Sequence, residues 1–232
     1  MITFLIPTYK EFSNIELIVN KINNLYLKQN YKIFFIDDDS KDGSLEKFKM
    51  LKKNHKNIDY YIRKSSARDL TKSIICALEF IDTKYIMIMD CDLQHDVNAI
   101  PIMIDYLIYK NYDLVIGSRN INKINQLNRK YISFFGILLA QLTGIPKLKD
   151  PLSGFFGLKT LDFKNVSPNI KSRGYKILLS ILFYLSKDIK IKEIDFKFYE
   201  RQNEKSKLNL KVKIFFLLQI MKFIILRFLN KY

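Results

Sequence analysis

The first half of the chain alternates short apolar runs with longer stretches whose apolar residues recur at helical spacing. Five of the short runs lack a polar alternation, which is typical of strands covered on both faces of a sheet. These predicted strands are residues 2–7, 31–37, 58–62, 84–90 and 112–118. The stretches between them predict helices at residues 14–25, 43–54, 68–81 and 98–109. Strand then helix, repeated, predicts an α/β fold with a mostly parallel sheet flanked by helices.

The second half of the chain follows a different pattern. Residues 129–146 form an apolar stretch with a basic N-terminal end, residues 172–186 form another, and both predict helices. Residues 150–160 look like a loop that enters a strand, and residues 188–201 predict one or two strands. Residues 208–232 predict a C-terminal helix that is apolar on most faces.

No internal repeat, linker or low-complexity tract separates these parts. The pattern therefore predicts one catalytic-type domain over residues 1–207, followed by a basic C-terminal helix over residues 208–232. Lys213, Lys222 and Arg227 interrupt the apolar residues of that helix.

The composition indicates a folded, basic protein. Of 232 residues, 48% are hydrophobic and 27% are charged, and 18 Phe with 14 Tyr argue against disorder. The formal net charge is +16. The region from Arg201 to Tyr232 carries many Lys and Arg residues against one acid, Glu204. This basic end suits phosphate groups or an anionic membrane surface.

The sequence also gives expectations about the cellular compartment of the protein. Cys76 and Cys91 lie in apolar segments without metal-ligand spacing, so we expect reduced core cysteines in a cytosolic protein. The N-terminus begins at once with a strand and lacks a basic region before it, so we expect no signal peptide. No uncharged apolar run reaches the roughly 18 residues that a membrane span needs. We therefore expect that the chain does not cross a membrane by itself.

Acidic loops follow two of the predicted strands. They read "IDDDSKDGS" (36–44) and "MDCDLQHD" (89–96). Because ligands of parallel α/β sheets bind at the carboxyl ends of the strands, both loops should face one crevice.

The second acidic loop is a candidate cation site. Asp90, Asp92 and Gln94 offer oxygen ligands that suit Mg²⁺ or Mn²⁺, which usually share their coordination sphere with substrate phosphates. The alternative is that Asp92 and Asp96 cap the N-terminus of the helix that follows. The tripeptide "DCD" by itself leaves these two interpretations level.

Three strand ends carry groups suited to a nucleotide. After the first strand, Pro7 stiffens the turn, Tyr9 offers a face for a base and Glu11 offers an acceptor for ribose or base donors. After the second strand, Asp38 could accept from a ring N–H of a nucleobase. After the fifth strand, Arg119 is permanently charged and suits a diphosphate.

The order of these motifs resembles family 2 glycosyltransferases of the GT-A fold, a Rossmann-like architecture. In that family Pro-Thr-Tyr-x-Glu, an Asp-Asp-x-Ser strand end and an Asp-x-Asp pair build a nucleotide-sugar site. The likeness narrows to dolichol-phosphate mannose synthases and related polyprenyl-phosphate glycosyltransferases. The motifs that match in order and approximate spacing are "DCDLQH", "IGSR", "RKYIS", "DPLSGFFGL", "RGYKIL" and "RQNEKSKL". The resemblance covers residues 2 to about 210.

The resemblance implies a role for each matching residue. The nucleotide-sugar site would be lined by Pro7, Tyr9, Glu11, Ile36, Asp38, Asp90, Cys91, Asp92, Gln94 and Arg119. The Mg²⁺ or Mn²⁺ ligands would be Asp90, Asp92 and Gln94. The phosphate of the acceptor would be bound by Arg129, Ser133, Arg201 and Lys207. Catalysis would rest on Asp92, Arg119, Arg129 and Arg201.

The implied reaction is an inverting, metal-dependent transfer of a sugar to a polyprenyl phosphate such as dolichyl or undecaprenyl phosphate. The favoured donor is GDP-mannose. The phosphate oxygen of such an acceptor is already an anion at neutral pH, so the reaction needs no general base. The protein must instead clamp two anionic partners in line and stabilise the departing nucleoside diphosphate.

The same acceptor gives a role to two apolar helices. Residues 131–146 and 208–229 are too short or too interrupted to span a bilayer, so we expect amphipathic helices at the membrane interface. This predicts a peripheral protein on the cytoplasmic face of a membrane, and a transmembrane partner subunit could strengthen the docking. The alternative is that both helices pack into the core or onto a partner.

Two stretches depart from the family pattern. Glu204 in "RQNEKSK" stands where the pattern Arg-x-x-Gly-x-Ser-Lys has Gly, which alters the loop and places an acid among phosphate-binding groups. Arg68 and Asp69 follow the third strand where a Gly-Leu turn is common, and they bear on donor selection. Both departures put the identity of the sugar in question.

Three other functions stay open on the sequence. One is a polyprenyl-phosphate transferase that uses a UDP-sugar to transfer glucose or N-acetylglucosamine. Another has a hydroxyl acceptor on a surface glycan and needs a base, for which Asp150 is the tempting residue, although we interpret it as shaping the acceptor loop. The last is a nucleic-acid-binding module, and the acidic crevice argues against a nucleic-acid partner. We interpret His95 as a surface or loop-packing residue.

Overall fold

A computed structural model of the chain describes residues 1–64, 68–119, 127–171, 176–185, 188–199 and 210–229. For residues 127–129 and 210–213 it describes the backbone alone. The strands in these ranges are β1 (Ile2–Thr8), β2 (Tyr31–Asp37), β3 (Ile58–Ile62), β4 (Tyr85–Ile88), β5 (Leu114–Arg119), β6 (Phe156–Lys159) and β7 (Ile191–Phe196). The helices are α1 (Phe12–Asn23), α2 (Ser44–Asn54), α3 (Leu70–Ala77), α4 (Ile100–Ile104), α5 (Leu127–Gln141), α6 (Thr160–Val166), α7 (Ile177–Tyr184) and α8 (Leu210–Phe228).

The described strands form one sheet in the order β3-β2-β1-β4-β6-β5-β7. Strands β1, β2, β3 and β4 are parallel to one another, and β5 is parallel to β7. Strand β6 runs antiparallel to both β4 and β5, so those two strands point the same way. The prediction of a mostly parallel α/β sheet is confirmed, and the loop predicted before a strand at 150–160 leads into β6.

Helices cover both faces of the sheet, which explains the continuous apolar strands. Every residue of β1 and β4 is buried. On one face α1, α2 and α4 pack against Phe4, Phe35 and Val115, and on the other α3, α5, α6, α7 and α8 pack against Leu5, Ile36 and Ile116. Neighbouring residues of a strand point to opposite faces, so each strand needs apolar residues at every position.

The five strands predicted in the first half are confirmed, and the helices between them lie where the spacing placed them. The last helix predicted in the first half, 98–109, has three parts: a 3₁₀ turn at Val97–Ala99, α4, and a π-helical turn at Asp105–Tyr109. The C-terminal helix is present as α8.

The helix predicted to continue to residue 146 ends earlier, and this is a correction. Helix α5 ends at Gln141, and Gly144 adopts φ of 76°. A glycine in the left-handed region commonly terminates a helix because it lacks a Cβ. A Cβ on Gly144 would also lie 2.5 Å from Cζ of Arg227, so the guanidinium of α8 rests directly on the end of α5.

Helix α8 packs on α7 through one stripe of its surface. Ile220 and Phe223 are buried, and the ring of Phe223 stacks on Phe183 with centroids 4.1 Å apart. Gln219 donates from Nε2 to Oγ of Ser180 at 2.8 Å. In the described part of the chain, no helix combines the length and the apolar character needed to cross a membrane.

The stacked ring of Phe223 gives a test of how firmly α8 is attached. We expect Phe223→Ala to lower the free energy of unfolding by about 3 to 5 kcal/mol, because it opens a cavity between α7 and α8. The matched control is Phe228→Ala on the same helix, where the side chain is 87% exposed and the change should stay within about 0.5 kcal/mol. Chemical denaturation measures both, and equal small losses would show that α8 is not part of the cooperative fold.

Candidate functional site

The carboxyl ends of β1, β2, β4 and β5 meet along one edge of the sheet. Strand β1 is parallel to β2 and β4, and β5 points the same way as β4 because β6 is antiparallel to both. The loops that follow these four strands therefore lie side by side, as the sequence predicts.

The loop after β2 is shaped by Asp37, which is 1% exposed. Its carboxylate accepts hydrogen bonds from the main-chain N–H of Ser40 at 2.8 Å, the hydroxyl of Ser40 at 2.5 Å and the hydroxyl of Thr8 at 2.9 Å. Burial raises the pKa of Asp37, although these hydrogen bonds work against the shift. The main-chain N–H of Lys10 donates to Ser40 Oγ at 2.8 Å, which joins this loop to the loop after β1.

The next carboxylate, Asp38, points to a different set of partners. It accepts from Nε of Arg63 at 2.7 Å, from the main-chain N–H of Asp69 at 3.0 Å and from the hydroxyl of Ser73. The hydrogen bond to Asp38 raises the pKa of Arg63 and outweighs the effect of burial. Asp38 thus lies at the predicted nucleoside edge, but its carboxylate binds protein groups in this structure.

Tyr9 and Glu11 lie in the loop after β1. The guanidinium carbon of Arg68 lies 4.4 Å from the centroid of the Tyr9 ring, a cation–π geometry. Glu11 is 7% exposed and accepts from Nδ2 of Asn14 at 2.7 Å. The two residues that depart from the family pattern therefore contact this region: Arg68 contacts Tyr9, and Asp69 contacts Asp38.

Pro7 and Ile36 lie inside the sheet beneath this edge. They are paired residues of β1 and β2, and Ile36 is 0% exposed. Cys91 is also buried, and it follows Asp90. These three side chains support the edge of the sheet from within.

The loop after β4 places the acidic pair at the same edge. The side chain of Asp90 is 40% exposed, whereas Asp92 is 6% exposed and accepts from the main-chain N–H of Gln94 at 3.2 Å. Asp96, not Asp92, caps the following 3₁₀ turn by accepting from the N–H of Asn98 at 3.1 Å. The N-cap alternative therefore describes Asp96 and leaves Asp90 and Asp92 to be explained otherwise.

Gln94 connects this loop to the segment after β7. Its Nε2 donates to the carbonyl of Tyr199 at 3.1 Å, and its own carbonyl accepts from the N–H of Tyr199 at 3.0 Å. This pair of bonds uses the amide nitrogen of Gln94 and leaves Oε1 as its ligand atom.

The acidic loop offers oxygen ligands for a divalent cation whose shell would be completed by substrate. Among the described residues, no group of three or more His, Cys, Asp or Glu is arranged to hold a metal ion. Two carboxylates and an amide oxygen from Asp90, Asp92 and Gln94 suit a hard cation that takes its other ligands from phosphate oxygens and water.

His95 packs beneath the acidic loop that follows β4. Its ring stacks on Phe155 with centroids 5.1 Å apart, and Nδ1 accepts from the main-chain N–H of Asp90 at 3.2 Å. Burial lowers the pKa of His95 to about 4, so the imidazole is neutral near pH 7 and carries its proton on Nε2. This confirms the interpretation of His95 as a loop-packing residue.

Arg119 and Asp150 form a buried ion pair at the end of β5. Nε and Nη2 of Arg119 donate to the two oxygens of Asp150 at 2.6 and 2.9 Å. The carboxylate of Asp150 is 0% exposed, and that of Glu193 accepts from the main-chain N–H groups of Lys149 and Asp150. Although burial alone would lower the pKa of Arg119, the bonds to Asp150 raise it. Asp150 thus shapes the loop, as the sequence suggests.

The loop from Asp150 to Gly154 also contacts the acidic loop that follows β4. A Cβ on Gly154 would lie 2.8 Å from Oδ2 of Asp90, so the carboxylate of Asp90 rests against this glycine and would have to shift for any larger residue. Ser153 Oγ donates to the carbonyl of Gly117 at 2.6 Å and fixes the loop to β5. We name residues 150–154 the bridging loop, because it contacts both Arg119 and Asp90.

The predicted acceptor-phosphate residues are only partly within the described chain. Ser133 lies on α5 and is half-buried. The side chain of Arg129, together with Arg201 and Lys207, lies outside the described residues.

The sequence reasoning missed Arg63, Ser73, Glu193 and Lys176. Arg63 could have been found, since it directly follows β3 and so lies at the same edge of the sheet. Glu193 and Lys176 contact the bridging loop from β7 and from the start of α7. Their roles depend on contacts between distant segments that no local motif reports.

Comparison with known proteins agrees with this architecture. Residues 3–172 match the family model "Glycosyl transferase family 2". The chain is 34% identical over 89% of its length to dolichol-phosphate mannosyltransferase of Pyrococcus furiosus, of which it spans 59%. It is 29% identical over 97% of its length to the dolichol-phosphate mannosyltransferase of Saccharomyces cerevisiae, of which it spans 87%.

Solved structures share the fold at low sequence identity. Glucosyl-3-phosphoglycerate synthase from Mycobacterium tuberculosis, in complex with phosphoglyceric acid, superposes with a TM-score of 0.72 at 15% identity over 98% of this chain and 79% of that one. The same enzyme with Mn²⁺, UDP and phosphoglyceric acid gives a TM-score of 0.73 at 14% identity, over 98% and 78% of the two chains. The strand order, the acidic loop at the carboxyl edge and the family match lead to one conclusion: the chain belongs to glycosyltransferase family 2 and has the GT-A fold.

Proposed function

We propose that the protein transfers a sugar from a nucleotide-sugar donor to a polyprenyl phosphate, with inversion at the anomeric carbon and GDP-mannose as the favoured donor. The observation that carries the proposal is the bridging loop, which brings Arg119 and the carboxylate of Asp90 to one place at the sheet edge. A guanidinium beside oxygen ligands for a cation is suited to a donor diphosphate. Relatives named dolichol-phosphate mannosyltransferase support mannose as the sugar and a polyprenyl phosphate as the acceptor.

The residues at the nucleoside end would bind the base and ribose. Tyr9 offers its ring. Asp38 and Glu11 would offer carboxylate oxygens after releasing the side chains of Arg63 and Asn14, to which they are hydrogen-bonded. Asp90, Asp92 and Gln94 would hold Mg²⁺ or Mn²⁺, and the cation would neutralise the charge that develops on the departing nucleoside diphosphate. The complex of glucosyl-3-phosphoglycerate synthase with Mn²⁺ and UDP, which shares the fold, supports a divalent cation here.

The state of Asp150 and His95 favours a phosphate acceptor over a hydroxyl acceptor. A hydroxyl acceptor needs a base, but the carboxylate of Asp150 is fully buried against Arg119. His95 is 5% exposed and enclosed by Phe155, Phe196 and Phe198, so its imidazole is not open to a hydroxyl acceptor. A phosphate acceptor is already an anion, so Arg119 together with Arg129, Ser133, Arg201 and Lys207 would serve to position it and the donor.

Helices α5 and α8 would place the site at a membrane surface on the cytoplasmic side. On α5 the exposed apolar residues are Tyr131, Ile132, Phe134, Phe135 and Leu138. On α8 they are Ile214, Phe215, Leu217, Leu218, Met221, Ile224, Ile225 and Phe228. Arg227 of α8 lies against Gly144, three residues past the end of α5, so the two helices adjoin there and their exposed apolar residues would enter the lipid headgroup region together.

The transfer assay is the direct test of the reaction. We expect purified protein with Mg²⁺ or Mn²⁺ and a short polyprenyl phosphate to move label from GDP-mannose into the organic phase. Label from UDP-glucose or UDP-N-acetylglucosamine alone would overturn the donor and keep the acceptor. No transfer from any donor, with folded protein and membrane supplied, would overturn the lipid-phosphate acceptor.

The cation assignment is tested by Asp92→Asn. We expect this change to lower turnover by about a hundredfold or more, the order seen when one electrostatic stabiliser of a transition state is lost. The matched control is Asp96→Asn, which removes a carboxylate charge four residues later, keeps the capping oxygen and should keep near wild-type turnover. Undiminished turnover in Asp92→Asn, or in wild-type protein treated with a chelator, would contradict the assignment.

The membrane surface is tested by Leu218→Asp on α8, where the side chain is 54% exposed. We expect binding to vesicles of phosphatidylcholine and phosphatidylglycerol to weaken about tenfold to a hundredfold, because one buried leucine contributes on the order of 1.5 to 3 kcal/mol. Leu161→Asp on α6 is the control, since Leu161 is 67% exposed on a different helix. Equal binding of the two variants in a sedimentation assay would argue against docking through α8.

A further inference from the structure

Lys176 lies where α7 begins and contacts the bridging loop. Its Nζ donates to the carbonyl of Leu152 at 3.1 Å. Its own main-chain carbonyl accepts from Nε2 of Gln219 at 3.4 Å, so α8 helps to hold it. Leu152 is the middle residue of the bridging loop, so the ammonium group lies within electrostatic range of Arg119, Asp150 and Asp90.

The electrostatic surroundings agree with this position. The Lys176 side chain keeps partial contact with solvent, but its ammonium group lies deep enough among protein atoms that burial lowers its pKa to about 8. The charge of Arg119 adds to that effect, and Asp150 and Asp90 oppose it. Arg119 and Asp90 belong to the proposed diphosphate site, and Asp150 holds Arg119 in place there.

We propose that Lys176 supplies a second positive charge, beside that of Arg119, to the site that binds the donor diphosphate. The inference rests on the proposed nucleotide-sugar reaction and assigns a further residue to it. In the described part of the site, Arg119 provides one positive charge, whereas Asp90, Asp92 and Asp150 provide three carboxylates. Because the ligand is itself a polyanion, a second fixed cation offsets repulsion that a bound metal ion would only partly cancel.

Placing a lysine here costs stability. An ammonium group with a lowered pKa is less stable in the folded protein than in water, and apolar replacements of buried charges are often neutral or stabilising. A lysine that served only to fill space or to hold Leu152 would thus be replaceable by methionine with little gain or loss. Enclosed groups with perturbed pKa values beside a cleft are more often retained for binding or catalysis.

The experiment compares Lys176→Met with Lys176→Arg by calorimetric titration with GDP and with UDP in the presence of Mn²⁺, without acceptor. We expect Lys176→Met to weaken nucleoside-diphosphate binding by about tenfold or more, because it removes one elementary charge that acts on a polyanion through an effective dielectric constant of about 20. Lys176→Arg keeps the charge and should recover most of the affinity. The melting temperature of Lys176→Met should be unchanged or higher.

The matched control is Lys164→Met. Lys164 also donates from Nζ to a main-chain carbonyl, that of Ile81 at 2.8 Å, but Ile81 precedes β4 and lies at the opposite end of the sheet from the site. Its loss should leave nucleoside-diphosphate binding unchanged.

The outcomes separate this inference from the proposed reaction. Wild-type affinity in Lys176→Met, or weakened binding that Lys176→Arg fails to recover while the melting temperature falls, would overturn the role of Lys176. Wild-type protein that binds neither GDP nor UDP would overturn both proposals. Charge-dependent binding without transfer to a polyprenyl phosphate would overturn the proposed acceptor but support the role of Lys176 in diphosphate binding.

Discussion

The buried ion pair between Arg119 and Asp150 is the interaction on which the rest of the site depends. It joins the end of β5 to the bridging loop, and Glu193 of β7 holds the same loop through two main-chain N–H groups. A carboxylate with no solvent exposure is tolerated only while a matched cation faces it, and loss of one partner commonly costs about 3 to 5 kcal/mol. The pair therefore both fixes the loop and aligns the guanidinium.

The antiparallel strand β6 explains how that loop comes to lie where it does. Because β6 inserts between β4 and β5, the chain that enters it must cross the carboxyl edge of the sheet between the ends of those two strands. Residues 150–154 are that crossing. In a fully parallel sheet a loop from this edge would lead to a helix, and Asp90 and Arg119 would belong to neighbouring strands with nothing between them.

The sequence predicts the sheet well and the partners of the site residues poorly, for one physical reason. Strand runs and strand ends are local patterns, so the positions of Asp90, Asp92 and Arg119 could be inferred. Asp37 and Asp38 are adjacent acids, and alternation alone does not say which one is enclosed by its own loop and which one meets Arg63. The sequence presents Arg119 as available for a diphosphate because its partner, Asp150, lies on a separate segment. The end of α5 depended on Gly144 and on an arginine from α8.

The pair of hydrogen bonds between Gln94 and Tyr199 has a consequence for how the protein acquires its site. The two residues are separated by 105 positions, so the acidic loop obtains this support from a segment that is synthesised much later. Contacts of such long sequence separation form late, because their loop-closure entropy must be overcome first. During synthesis the aspartates leave the ribosome well before Tyr199. A nascent chain therefore carries the acidic motif in full, yet lacks the geometry that makes it useful until the segment that contains Tyr199 has been made.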